Sequence, residues 1–208
     1  MRAGELSSKG FNPSLQLLQG GVTGRITYTV GDMEIEEDIR GRLEAVLASM
    51  DEGSEKTLSR VEVEVRLDDL PEWMFAETST RDLNRFTITL NRVRYPEAEG
   101  DERLWRIAHE LGHIVHTRME FKRGRLRTPD REVILGGDEA DANALALIWG
   151  FKPPRDIVED EVHEAYREAS MRGIKDSHLL RYITFRTGFD PSTIEEVLRR
   201  IRVHLNLL

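Results

Sequence analysis

The 208-residue chain contains no cysteine. That excludes disulfides, thiolate-bound zinc, cysteine nucleophiles and the Cys-ligated deaminase site, so any metal must be held by His, Asp or Glu. A long apolar run is also missing. The longest, ALALIW at 144–149, is far short of the roughly 20 residues that cross a bilayer. The opening stretch MRAGELSSKGFNPSLQLLQGG has no continuous apolar segment of the kind a secretory leader carries. These two absences lead us to expect a soluble, cytoplasmic chain with no membrane partner. Positive charge is not in excess either: 30 Lys and Arg stand against 38 Asp and Glu, a net charge of −8. A whole-chain electrostatic footprint for nucleic acid is therefore not favoured, although local basic patches are compatible with that balance. With 39% hydrophobic residues the chain can bury one sizeable core, or a core plus a small helical appendage.

The first 21 residues are punctuated by Gly, Ser and Pro and read as a mobile arm, while GRITYTV (24–30) alternates as a short strand does. From Met33 to Met50 the residues Ile35, Ile39, Leu43, Val46, Leu47 and Met50 recur at helical spacing, and DEGSEK closes that run. RVEVEVRL (60–67) places Val61, Val63 and Val65 on one buried strand face, and RFTITLNRV (85–93) does the same with Phe86, Ile88 and Leu90. Tyr95-Pro96 stops the second strand, and Asp101 offers an N-cap for the next helix. Beyond that helix, KRGRLRTPDREVILGG (122–137) reads as a long basic loop with room for a short hairpin. Helical segments are expected at 138–150, closed by Gly150 and Pro153-Pro154, and near 155–172, 176–187 and 192–206, the last capped by Asp190 or Ser192.

The stretch LWRIAHELGHIVHTRME (104–120) carries His109, His113 and His116. On a helix, Leu104, Ile107, Ala108, Leu111 and Val115 share one side and the histidines lie roughly opposite, facing a cleft or solvent. His109 and His113 are one turn apart, about 6 Å of rise, so both imidazoles can reach one ion. Glu110 completes H-E-x-x-H, in which two His bind Zn²⁺ and the Glu acts as base towards water whose pKa the metal lowers to about 7. His116 is about 10 Å of rise from His109, too far along a straight helix to share that ion, and is expected to line the cleft or support a ligand.

A catalytic zinc takes three protein ligands, and no third His stands six residues beyond the second, where the chain has Met119. On the following helix Glu139 and Asn143 lie one turn apart on one face: Glu139 can ligate while Asn143 orients a ligand imidazole through its second nitrogen. Asp138 and Asp141 compete for the ligand role, and His163, His178 and His204 are weaker candidates.

AHELGHIVH followed by EADANALAL resembles the ImmA/IrrE family of cytoplasmic zinc metallopeptidases, whose pattern is H-E-x-x-H and then E-x-E-A-N-x-F-A-x-x-L-L. The resemblance covers roughly residues 101–150. It implies that His109, His113 and Glu139 hold one Zn²⁺, that Glu110 is the general base and that Asn143 supports a ligand. Asp141 stands where the family has its second Glu, Leu145 replaces the Phe, and IWGF replaces the usual Leu-Leu-Met-Pro ending. The fold implied is α+β and zincin-like, a small mixed sheet packed on the active helix and followed by a mostly helical part. The expected organisation is a mobile arm (1–23), a metallopeptidase core (24–153) and a helical C-terminal subdomain (154–208). The activity implied is endopeptidase action of the glutamate-zincin kind, with limited cleavage of a protein partner such as a transcriptional repressor.

A peptidase of this type needs an edge strand to hold extended substrate, and RFTITLN (85–91) is the candidate. It also needs a donor beside the metal for charge developing on the attacked carbonyl, for which His163 with Tyr166, or His178 with Tyr182, could serve. The basic loop, with Lys122, Arg123, Arg125, Arg127 and Arg131, could steer an acidic partner. The C-terminal segment, with Arg181, Arg186, Arg199, Arg200 and Arg202, resembles the helix-turn-helix-like tail that follows the peptidase core in this family, so a DNA-binding regulator and a non-catalytic zinc module are the alternative readings.

Overall fold

The computed structural model describes residues 15–16, 25–127, 129, 133–135 and 139–204. Of the expected N-terminal arm, only Leu15–Gln16 falls among them, as the two-residue strand β1. β2 (Arg25–Thr29) leads into α1 (Met33–Ser49). The Asp32 carboxylate caps α1 by accepting from the backbone N–H groups of Glu34 and Ile35. The DEGSEK stretch, expected only to end a helix, starts a second one, α2 (Glu52–Leu58). Asp51 makes this possible: its carboxylate accepts from Ser54 N–H and the Ser54 hydroxyl.

β3 (Glu62–Asp68), β4 (Ala76–Thr80) and β5 (Arg85–Asn91) follow, then the single turn α3 (Arg94–Glu97). Tyr95 and Pro96 therefore sit in a helical turn beyond the strand rather than at its end. α4 (Gly100–Lys122) carries the histidines; Glu99 occupies its N-cap position and Asp101 lies inside the first turn, so the expected Asp101 cap is not formed. β6 (Val133–Leu135), α5 (Glu139–Ile148), α6 (Arg155–Met171), α7 (Asp176–Thr187) and α8 (Pro191–His204) follow among the described residues. Asp190 caps α8, accepting from Ser192 and Thr193 N–H.

The architecture is α+β, with a small mixed sheet in the order β1-β2-β3-β5-β4-β6. β2, β3 and β5 run parallel, and β4 folds back antiparallel on the outer side of β5. The register aligns Ile26 with Val63 and Phe86, and Tyr28 with Val65 and Ile88, so one face is apolar across all three strands. This face packs in one continuous buried cluster with Ile39, Leu43 and Val46 of α1, Leu111, Ile114 and Val115 of α4, and Val162, Ile183 and Val197 of the later helices. RFTITLN is an interior strand, flanked by β3 and β4, so the expectation that it is a substrate-binding edge does not hold. The strand that sequence patterning missed, β4, displaces it. No helix among the described residues is long and apolar enough to cross a membrane.

Candidate metal centre

The middle of α4 is enclosed on every side: each residue from Ile107 to Val115 is buried, His109 and His113 to 7% and 3% exposure. His109 and His113 do not face solvent, because the polar side of the helical wheel is covered by α5. Gly112 permits the closest contact. A Cβ there would stand 2.7 Å from the carbonyl oxygen of Ala142 and 2.9 Å from its Cα, so only glycine lets the α4 and α5 backbones meet at this point. On the far side of α5, Gly188 ends α7 in a left-handed conformation (φ 71°) and lies against the Ala140 carbonyl. α5 is thus clasped between α4 and the turn joining α7 to α8.

That clasp delivers Glu139 and Asn143 to the histidines. His109 Nε2 lies 3.1 Å from His113 Nε2 and 3.1 Å from Glu139 Oε2, and His113 Nε2 lies 3.5 Å from Glu139 Oε1. Asn143, fully buried, donates through Nδ2 to the Thr187 carbonyl and to Glu161 Oε2, each at 2.9 Å. Its Oδ1 must therefore face His109 Nδ1, 2.7 Å away, which makes that nitrogen the N–H donor. In the neutral imidazole this leaves a lone pair on Nε2, aimed at His113 and Glu139. Two imidazole nitrogens and a carboxylate converging this closely are a donor set for a cation, and the three residues can hold a metal ion. The Glu139 side chain is 46% exposed, so the group opens to solvent on its side.

Glu110 is not among those ligands. Its buried carboxylate accepts the Thr78 hydroxyl of β4 at 2.7 Å. Burial raises its pKa, against the opposing pull of His109 and the Thr78 hydrogen bond. For His109, burial works against the charged form but is outweighed by the Glu139 hydrogen bond and the charges of Glu110, Glu139 and Glu161, so its pKa is raised. Glu139 is lowered: burial opposes ionisation, and the His109 hydrogen bond and the charges of both imidazoles prevail. Glu161 on α6, which sequence reading missed among many acids of one helix, is pushed up to about 7 by burial.

The remaining expected residues fall elsewhere. His116 Nδ1 faces Asp141 Oδ2 at 3.6 Å, an α4–α5 contact that takes both away from the trio. Asp138 and Arg131 lie outside the described residues, as does the side chain of His204. His163 and His178 are exposed on α6 and α7. Tyr166 and Tyr182 pack against the core, Tyr182 beside Glu168 and Arg186. In the basic segment, Arg123 and Arg125 both pair with Glu120. Of the C-terminal arginines, Arg186 pairs with Glu168 and Arg200 with Glu159 and Glu196.

Comparison of the chain with protein-family models, with curated proteins and with solved structures gave no match.

Proposed function

We propose that the chain is a zinc-dependent endopeptidase of the ImmA/IrrE, glutamate-zincin kind. The observation that carries this reading is the position of Glu110: a buried carboxylate, adjacent in sequence to one ligand and held by Thr78, that is not itself needed to hold the ion. A structural metal site has no use for such a group. Two imidazoles and one carboxylate suit zinc, and three protein ligands leave a position for water and substrate. Zinc bound there would supply Lewis acidity and lower the pKa of its water to about 7.

The chain's own residues do the rest. Glu110 takes the proton of the attacking water and returns it to the leaving amine nitrogen, a task suited to a carboxylate whose pKa burial has raised. Thr78 fixes the carboxylate's orientation through Oε2. Asn143 fixes His109 in the tautomer that presents Nε2. Substrate enters past half-exposed Glu139 and lies extended along β6, which pairs with β4 on one side and brings Leu135 opposite Thr78. The resemblance of AHELGHIVH and EADANALAL to the family makes a limited cut in a protein partner, such as a transcriptional repressor, the expected outcome. The test is hydrolysis of a quenched peptide library by zinc-loaded protein: cleavage that stops with chelator and returns with one equivalent of zinc supports the reading, and zinc-loaded protein inert to every peptide and candidate partner overturns it.

A further inference from the structure

Near the metal centre, the Arg106 guanidinium makes no hydrogen bond to any of the described residues. Arg106 stands one turn before Glu110 on α4, about 6 Å along the axis. Its side chain is 25% exposed, and its Nε is buried without a hydrogen-bond partner. Its ion-pair neighbour, Glu102, lies at 3.8 Å, beyond hydrogen-bond reach. The neighbouring arginines differ. Arg103 donates to the Ala98 and Pro96 carbonyls and to Asp38, Arg42 to Asp38 and the Gly100 carbonyl, and Arg94 to the Trp73 carbonyl. Arg106 instead lies over the Phe75 ring, 5.4 Å from its centroid, which holds it in place without engaging its N–H groups.

This location relates it to the cleft. Phe75 immediately precedes β4, and Thr78 of β4 is the residue that holds Glu110. Arg106 and Glu110 therefore meet neighbouring points of one segment, Phe75 and Thr78, and their spacing of about 6 Å on α4 is close to the roughly 7 Å same-face repeat of an extended peptide. The field of Arg106 reaches Glu110, Glu139 and Glu161, so it belongs to the same electrostatic unit as the metal centre.

We propose that Arg106 anchors a carboxylate of the peptide substrate, and so selects substrates with an acidic group close to the bond that is cut. The proposal rests on the peptidase reading above. A planar guanidinium that makes no hydrogen bond among the described residues is matched to a carboxylate, which accepts two N–H groups side by side. The carboxylate can come from an Asp or Glu side chain or from a free C-terminus, and the two are separable by experiment.

The test compares wild type, Arg106→Gln and Arg106→Lys on matched peptides that carry Glu or Gln at each position around the cut, each with a free or amidated C-terminus. Wild type is expected to favour one carboxylate-bearing form by about 10- to 100-fold in kcat/KM, mainly through KM, as a charge-assisted pair requires. In Arg106→Gln that ratio falls towards one, and Arg106→Lys recovers part of it. Loss on Glu→Gln exchange identifies a side chain as the anchor, and loss on amidation identifies the C-terminus. A preference that survives in Arg106→Gln, equal wild-type rates on every pair, or a loss confined to kcat on all peptides overturns the assignment while leaving the peptidase reading intact. Calorimetric binding of the same peptides to zinc-loaded Glu110→Gln protein decides the matter without turnover: binding of the acidic form must weaken about 10-fold or more in Glu110→Gln/Arg106→Gln, and unchanged binding rejects the anchor.

Discussion

The Thr78 hydroxyl donates to Oε2 of Glu110 across 2.7 Å, joining β4 to α4 over 32 residues of chain. Thr78→Val keeps the shape of the side chain and removes the donor. The zinc content should be unchanged, and peptide hydrolysis should fall about 10- to 100-fold, the range for a buried hydrogen bond to a charged group. Thr78→Ser should retain most of the rate. Full activity in the valine variant would show that Glu110 is held by something else.

Asn143 sets the tautomer of His109, so its loss acts on the metal rather than on the chemistry. Asn143→Ala should weaken zinc binding about 10- to 100-fold, measured by competition with a chromophoric chelator. It should also lower the melting temperature, because the Thr187 carbonyl and Glu161 lose their donor. Unaltered zinc affinity would contradict the role given to Asn143.

Gly112→Ala reverses the usual sign of a helix substitution. In an open helix interior alanine stabilises by about 1 kcal/mol over glycine. Here the added carbon would meet the Ala142 backbone at 2.7 Å, so we expect a loss of about 1–3 kcal/mol by chemical denaturation, together with weaker zinc binding as α5 is pushed from α4. A more stable variant with intact zinc binding would show that the helices can part without consequence.

At the far end of α4 from the basic segment, Asp38 accepts from Arg42, Tyr95 and Arg103, which ties α1 to the helix start. Burial opposes the charge, but the hydrogen bonds from Arg42, Tyr95 and Arg103 outweigh it and hold the carboxyl down to about 2 from 3.8. A depressed carboxylate stabilises the fold fully above its unfolded pKa and loses that contribution as pH falls through the folded value. Asp38→Asn should therefore cost about 1–2 kcal/mol at neutral pH, allowing for partial exposure, and the gap from wild type should close between about pH 4 and 2. A gap that does not depend on pH would assign the effect to packing.

The parts legible in the sequence are those with local causes. His109, Glu110 and His113 on one helix, and Glu139 and Asn143 one turn apart on another, follow from helical periodicity alone. β4 escaped because AETST presents Thr78, Ser79 and Thr80 to the buried interior, so no apolar alternation marks it; β5 and β6 on either side make it a strand. The histidines' burial escaped for a related reason. A helical wheel separates apolar from polar faces but does not register a second helical layer, admitted here by Gly112 and Gly188. Thr78, Glu161 and Arg106 took their parts only when distant segments met.

The account depends most on Glu110 acting as a base that the metal does not need for its binding. The most direct measurement is the rate of peptide hydrolysis by Glu110→Gln alongside its zinc content, each relative to wild type. We predict close to one zinc per chain in both proteins and a rate at least about 1,000-fold lower in the variant, since the amide cannot take the proton of the attacking water. Wild-type hydrolysis in zinc-loaded Glu110→Gln, or loss of zinc with the substitution, would contradict it.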